Sequence, residues 1–467
     1  MKILLFGTGD YYRKYKKWFR KDDVVALIDN NPNKTGTYLD DFIIYHPEDA
    51  VKLEYDYIVI LSVHEIAMRK QLFDLGVESC RILGYSELTT HPEICTSSKP
   101  VDLYAADNVF HGFLDGKAEE YILVMSHNLD LNGASLALFY AARLLNQNGY
   151  KVLFASWNDG ELRQYLADAS IPVVIDCNLE IKTARSVSWI RSFDKIICNT
   201  LNYYQFLSDR RLSDKVIWWL HDPAMFYETI NKRLLRQIDS ANLRIVAVGP
   251  ISEAAVKEYR PDMKVEQLLY GIPDSSMNRG RIKNEKLELV TIGNVQEYKG
   301  QDILIDAMRK LSQEERKRVH LRIVGSQDSV FADMVKEAAH ELKDSVEFIP
   351  PVDRETVHRL LESVDVLICP SRVDTMSISS SEAMQHSIPC IVSDSVGIAS
   401  YIHDNADGLL FKCGDPDSLA SKIRWCMNNR SSLEVMGAAS RKIYEKYFSM
   451  DVFKENLLRI IAFFDTD

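Results

Sequence analysis

Asp374 and Glu382 are two carboxylates separated by seven residues in the stretch Pro370-Ser371-Arg372-Val373-Asp374-Thr375-Met376-Ser377-Ile378-Ser379-Ser380-Ser381-Glu382-Ala383-Met384. The apolar run Val366–Cys369 before it reads as a buried strand, and a helical pattern follows. The acids therefore flank a strand-to-helix loop, the place where open α/β sheets bind ligands. Ser377, Ile378 and Ser379 fall at the start of the helix, where unpaired backbone amides favour an anion. Such a loop suits a nucleoside diphosphate, with the carboxylates accepting hydrogen bonds from sugar and ribose hydroxyls.

The elements that must hold this loop repeat along the chain. Residues 2–88 alternate short apolar strands (Lys2–Phe6, Val24–Ile28, Tyr57–Leu61) with helical patterns (Tyr11–Arg20, Ile66–Leu75), so 1–95 reads as a small Rossmann-like βαβ domain. Periodicity is lost over 96–118, a linker. A second α/β pattern covers 119–280, with strands at Tyr121–Met125, Lys195–Cys198, Val216–Leu220 and Arg244–Val248 and an amphipathic helix at Ala134–Asn148. After the polar stretch Asp274–Lys286, a third covers 281–450, with strands at Leu287–Ile292, Leu321–Val324, Val346–Ile349, Val366–Cys369 and Cys390–Ser393. The last segment, 451–467, reads as a helix. The class is α/β, with two doubly wound sheets in series behind a smaller one.

The Pro-Ser, acid, seven residues, Glu-Ala-Met pattern resembles the signature of retaining GT-B glycosyltransferases of the family-four type. Four further segments resemble that family in its order: Asn128–Ser135, with Asn132-Gly133 opening a helix; Trp219-Leu220-His221-Asp222; Ile292-Gly293-Asn294…Lys299-Gly300; and Arg322-Ile323-Val324-Gly325. The resemblance covers roughly residues 120–467. It implies a GT-B fold, in which the final helix crosses back to the acceptor-side domain. It also implies transfer of a hexosyl unit from a nucleoside diphosphate sugar to an acceptor hydroxyl, with catalytic roles for His221, Asp374 and Lys299. Donor contacts are implied for Asn132, Gly133, Asn294, Lys299, Ser377, Ile378, Ser379 and Glu382. In this reading Lys299 takes the diphosphate, Asp374 the sugar, Glu382 the ribose and His221 a sugar hydroxyl. The chain departs from the family in carrying Asn294 for an Arg, Asp374 for a Glu, and Thr375-Met376-Ser377 for Gly-Phe-Gly. With Asn294 neutral, charge neutralisation falls on Lys299.

Each residue also has a plainer structural reading. Glu382 suits the first turn of any helix, and Asp374 suits a loop or cap. Asn294 can be a turn former, Lys299 solvated, His221 a structural strand-end residue, Asp222 a cap or a support for the imidazole, and Asn132-Gly133 an ordinary turn. Asp415-Pro416-Asp417 spells the Asp-x-Asp of metal-dependent transferases, but reads as a helix cap with Pro in the first turn. No other cluster has metal-ligand spacing, so a metal-free mechanism without a cofactor is expected. Gly7-Thr8-Gly9 with Asp29 is a fragment of a dinucleotide fingerprint that lacks its third glycine. Tyr11–Lys21 interleaves six cations with five aromatics. It reads as a helix with Tyr12, Tyr15 and Phe19 inward, or alternatively as a membrane-surface or polyanion contact.

Composition sets the outer bounds. At 467 residues about three domains are expected. The net charge of −11 argues against general nucleic-acid binding. There is no membrane-spanning run, the first residues run straight into a strand, and the eight cysteines include no Cys-x-x-Cys pair. A cytoplasmic protein, free or peripheral to the membrane, is expected, with a saccharide, lipid-linked or glycoprotein acceptor. The N-terminal domain would meet a membrane surface or partner transferase. Two alternatives remain open here: an inactive transferase-like subunit that binds a glycan or partner, and a nucleotide-sugar epimerase of GT-B fold.

Overall fold

The computed structural model describes residues 1–62, 65–84, 102–104, 120–176, 178–181, 187–275 and 285–465. It divides into two compact units, one of residues Met1–Asp102 with Ile175–Ser188, the other of Leu103–Val174 with Trp189–Asp467.

The N-terminal unit is built on β1 (Ile3–Phe6), β2 (Val24–Ile28), β3 (Tyr38–Leu39), β4 (Phe42–Tyr45), β5 (Tyr57–Ile60) and β6 (Ile82–Gly84). They are ordered β3-β4-β2-β1-β5-β6, parallel except for the β3–β4 hairpin. The first helix is shorter than its pattern suggests: α1 (Asp10–Tyr15) tightens into a 3₁₀ turn at Lys16–Trp18. The reason lies in the spacing of the aromatics. Tyr12, Tyr15 and Trp18 recur every third residue, a period that a 3₁₀ turn eclipses on one face. All three are buried with Phe19, and the rings of Tyr15 and Trp18 are 4.4 Å apart. The aromatics of this basic segment are thus core, as the inward reading has it.

The larger unit holds two sheets. The first contains β7 (Asp102–Tyr104), β8 (Tyr121–Ser126), β9 (Lys151–Ser156), β10 (Val173–Ile175), β11 (Lys195–Asn199), β12 (Lys215–Leu220), β13 (Leu243–Ala247) and β14 (Val265–Gln267), ordered β14-β13-β12-β11-β8-β9-β10-β7. Strand β7 lies within the stretch expected to be a linker, whose residues 96–101 and 105–118 are outside the described residues. The second sheet contains β15 (Leu287–Ile292), β16 (Val319–Val324), β17 (Val346–Ile349), β18 (Val366–Cys369), β19 (Cys390–Ser393) and β20 (Leu409–Phe411). It is parallel throughout, ordered β17-β16-β15-β18-β19-β20. Its strand β18 is a continuous buried apolar run, as a strand covered on both faces allows, whereas β16 (Val-His-Leu-Arg-Ile-Val) alternates buried and half-buried residues over its first four positions.

The helices that concern the site are α2 (Gly133–Gln147), α3 (Gln301–Arg309), α4 (Arg354–Leu361), α5 (Ile378–Gln385), α6 (Pro416–Asn428) and α7 (Met450–Ile461). Ile303, Leu304, Ala307 and Met308 of α3 pack into the core of the second sheet with Leu289, Leu321 and Ile323. Burying each of the Ile, Leu and Met side chains among these contributes about 1.5–3 kcal/mol. The chain leaves the first sheet after β14, builds the second, and returns through α7. There Phe453 stacks on Trp219 at 5.8 Å, and the Arg244 guanidinium donates to the Ile460 carbonyl at 3.0 Å. The polar stretch between the sheets is described only at its two ends, since 276–284 are outside the described residues.

Strand order fixes where a ligand can sit. In the second sheet the neighbours of β15 are β16 on one side and β18 on the other. The chain runs on from β15 and from β18 to strands on opposite sides, and a crevice lies at the carboxyl ends of the strands where the order switches.

Candidate active site

That crevice is a cavity of about 360 Å³. The second sheet contributes Lys299, Asp374, Ser377, Ile378, Ser379 and Glu382 to its lining, and the first contributes Gly133 and His221. Asn132 and Asn294 are not among the lining residues.

The loop after β15 is pressed onto the loop after β18. Gly300 makes this possible: its φ is +71°, and a Cβ there would collide with the Pro370 carbonyl oxygen. The contact is secured by Arg372, whose guanidinium makes paired bonds of 2.8 and 2.6 Å to Asp302 and another of 2.7 Å to the Glu297 carbonyl. The Lys299 ammonium thereby reaches Asp374 at 2.7 Å. Burial opposes the charge on Lys299, but Asp374 more than offsets it and holds the ammonium above its ordinary pKa.

Helix α5 starts on the far side of this pair. Ser377 caps it, accepting from the Ser380 amide at 3.2 Å, so the amides of Ile378 and Ser379 have no carbonyl a turn earlier to bond. The Tyr270 hydroxyl donates to the Met376 carbonyl at 3.2 Å and lies 3.3 Å from Ser381 Oγ, tying the end of the first sheet to this helix. Gly133 allows the two halves to approach: a Cβ there would lie 3.0 Å from Ile378 Cδ1. One turn into α5, Glu382 is 4 % exposed and ion-paired to Arg354 at the start of α4. Burial pushes the Glu382 carboxyl up, and Arg354 pulls it part of the way back.

From the opposite half, His221 follows β12. Its ring packs on Trp219 at 4.7 Å, and its Nε2 is buried without a hydrogen-bond partner. Burial, with His127 adding to it, lowers its pKa to about 3, so the imidazole is neutral at physiological pH. The Asp222 carboxylate accepts from the Leu201 amide at 2.6 Å and from the His221 backbone amide; burial raises it to about 6 against these bonds. Asn132 caps α2, accepting from the Ser135 amide at 3.0 Å. Asn294 is exposed, and its side-chain oxygen accepts from the Ser326 amide at 3.3 Å.

Arg354, Tyr270, Gln301 and Arg372 carry no sequence signature, yet they line or build the cavity. Asp415 caps α6, accepting from the amides of Asp417 and Ser418 at 3.0 Å, as its cap reading has it. Among the described residues no group of three His, Cys, Asp or Glu side chains is placed to hold a metal ion, and no helix is long and apolar enough to cross a membrane. Chemically, the lining offers a cation and helix-start amides to an anion, a buried carboxylate to hydroxyls, and a neutral imidazole.

Residues 274–443 match the family of glycosyl transferases group 1, residues 118–268 match glycosyl-transferase family 4, and residues 1–83 match the C2185-like N-terminal family. The chain is 27 % identical over 179 residues to an uncharacterized glycosyltransferase, MJ1607, of Methanocaldococcus jannaschii, covering 38 % of this chain and 45 % of that one. It is 22 % identical over 190 residues to a D-inositol 3-phosphate glycosyltransferase of Geodermatophilus obscurus, covering 39 % and 42 %. The chain thus spans less than half the length of these relatives. The fold is similar to Anabaena Alr3699/HepE, solved with UDP and glucose, at a TM-score of 0.62 and 16 % identity over 73 % of this chain and 99 % of that one. It is also similar to a glycosyltransferase of Rickettsia africae, at 0.61 and 16 % over 75 % and 99 %.

Proposed function

The chain belongs to the GT-B glycosyltransferases of the group 1 and family 4 type, carried behind a C2185-like N-terminal domain, and from that premise we propose that it is a retaining hexosyltransferase whose cavity binds a nucleoside diphosphate sugar. The observation that carries this reading is convergence. Lys299, the open amides at the start of α5, and Glu382 line one cavity at the strand-order switch, with His221 opposite them. The diphosphate lies between Lys299 and the amides of Ile378 and Ser379, where a cation and a helix N-terminus meet. The ribose reaches Glu382, and the sugar lies toward Asp374 and the neutral His221. Anabaena HepE, solved with UDP and glucose, supports a donor of this class.

In the reaction the bond from the anomeric carbon to the diphosphate oxygen breaks, and its electron pair leaves with the diphosphate. The acceptor hydroxyl attacks on the same face and gives its proton to the departing phosphate oxygen. Lys299 and the helix amides stabilise the charge that develops there without a metal ion. Asp374 is displaced from Lys299 as the diphosphate arrives and is freed for the sugar. The acceptor class is a cell-surface glycan, lipid-linked saccharide or glycoprotein, met in the cytoplasm or at the membrane surface. The N-terminal domain supplies the contact to that surface or to a partner transferase.

A thermal-shift panel of UDP, GDP, ADP and their hexoses tests the reading. A ligand at about 100 Kd stabilises the fold by about 2.7 kcal/mol. One nucleoside diphosphate and its sugar should raise the melting temperature and the others should not; no response to any of them contradicts the reading. A second reading is an inactive transferase-like binding subunit, favoured by the closed Lys299–Asp374 pair and by Asn294 lying off the cavity. It is separated by donor hydrolysis, which only the enzyme shows.

A further inference from the structure

Arg354 is not needed where it stands for the sake of its own helix. It is the first residue of α4, whose cap is Asp353 accepting from the Thr356 amide at 2.8 Å. A cation there faces the positive end of the helix dipole and is disfavoured. The compensation comes from α5, where Arg354 pairs with Glu382. The Glu382 side chain is only 5 % exposed, and that of Arg354 is 26 % exposed. Arg354 engages one carboxylate oxygen, Oε1, and the other has no donor among the described residues while Glu382 lines the cavity.

The two helices are held in register by a second rung. His358 stands four residues after Arg354, and His386 four after Glu382. Their Nδ1 and Nε2 are 3.1 Å apart, and Ser275 Oγ is 2.9 Å from His358 Nδ1. This rung sets the guanidinium fork opposite the carboxylate.

We propose that Arg354 is a positioning residue for the donor: its ion pair turns the Glu382 carboxylate so that the open oxygen is presented to the ribose hydroxyls of the nucleoside diphosphate. The proposal rests on the donor reading of the cavity. It follows from geometry, and the charges agree with it. Burial alone would favour a protonated Glu382, which accepts fewer hydrogen bonds, and Arg354 works against that.

The readout is ribose discrimination. Calorimetry compares the nucleoside diphosphate that gives the largest thermal shift with its 2′,3′-dideoxy analogue. The wild type should bind the ribonucleotide about tenfold or more tightly, the scale of a hydrogen bond to a charged group. Arg354→Gln should lose most of that preference while still binding the dideoxy form. Arg354→Lys, which keeps the cation, should retain the preference. It also decides the matter if Arg354→Gln does not fold. An undiminished preference in Arg354→Gln, or its loss in folded Arg354→Lys, overturns the proposal. A wild type that binds both forms equally removes the ribose role of Glu382 and with it this inference, yet leaves the diphosphate site standing. A wild type that binds neither removes the donor reading itself.

Discussion

Two loops at the carboxyl ends of parallel strands each carry an aspartate paired with a lysine, and they differ in what the pair can still do. In the N-terminal unit Asp29, after β2, is held by Lys34 at 2.9 Å, by the Thr8 hydroxyl, and by the Asn31 amide at 2.9 Å. Burial would raise its pKa, but these local partners more than offset it and hold it below the ordinary range. At the second sheet of the larger unit, Asp374 and Lys299 come from different loops and meet across the wall of the cavity. The first aspartate is satisfied by Asn31 and Lys34 of its own loop and by Thr8 from the loop after β1, and its lysine partner is only five residues away. The second pair is assembled by the fold and faces open space, so a diphosphate can compete for the lysine and a sugar for the carboxylate. A salt bridge becomes part of a site when its partners are positioned independently and a ligand can take the place of either.

The strongest way to sharpen the contrast is to strip the far end of the cavity. Glu382→Ala removes the proposed ribose acceptor and leaves the Arg354 guanidinium without its carboxylate. We expect affinity for the nucleoside diphosphate and for its sugar to fall alike, by about 100-fold, in calorimetry. Asp374→Ala should behave differently. It frees Lys299, so binding of the free nucleotide should hold steady or tighten, while turnover of the intact donor falls. If the two variants behave alike, the division of labour is wrong.

Asp222 extends the comparison to an acid with no cation among its hydrogen-bond partners, only backbone amides. Its folded pKa is about 6 against an ordinary 3.8, so the fold favours the protonated form. That contribution is complete below about pH 4 and is lost as pH rises through about 6. Asp222→Asn stays neutral throughout. Its stability relative to the wild type, followed by urea titration, should therefore climb across that window by on the order of 1–3 kcal/mol. A flat difference would mean that Asp222 reaches solvent or a cation.

The smallest effect on the donor belongs to Asp29. Asp29→Ala should destabilise the N-terminal unit by about 1–2 kcal/mol through lost charge-assisted bonds. Nucleotide affinity should stay within about twofold, as Asp29 lies outside both transferase matches, 118–268 and 274–443. A larger loss of donor affinity would erase the distinction drawn between the two pairs.

The sequence makes some of this legible and hides the rest for identifiable reasons. Val366–Cys369 stands out as an unbroken apolar run because a strand covered on both faces needs no alternation, Leu287–Ile292 and Cys390–Ser393 are mostly apolar, and the structure has strands at those same residues. The GT-B class follows from the order of such runs and the motifs that trail them. The early end of α1 was readable in principle, in the threefold spacing of Tyr12, Tyr15 and Trp18. The partners within the cavity were not. Lys299 is 75 residues from Asp374 and Arg354 is 28 from Glu382, so only the packing of loops decides that they meet. Arg354 and Tyr270 belong to no motif. Asn132 and Asn294 do, yet the structure gives the first to a helix cap and the second to the Ser326 loop.

The central claim is that Lys299 supplies the cation for a diphosphate, and titration of wild type and Lys299→Ala with the nucleoside diphosphate selected by the thermal-shift panel tests it most directly. A charge-assisted contact of this kind contributes roughly 1.5–3 kcal/mol, so Lys299→Ala should bind about 10- to 100-fold more weakly while the corresponding nucleoside, which has no phosphate, binds the two proteins equally. Equal affinity of both proteins for the diphosphate would contradict the account.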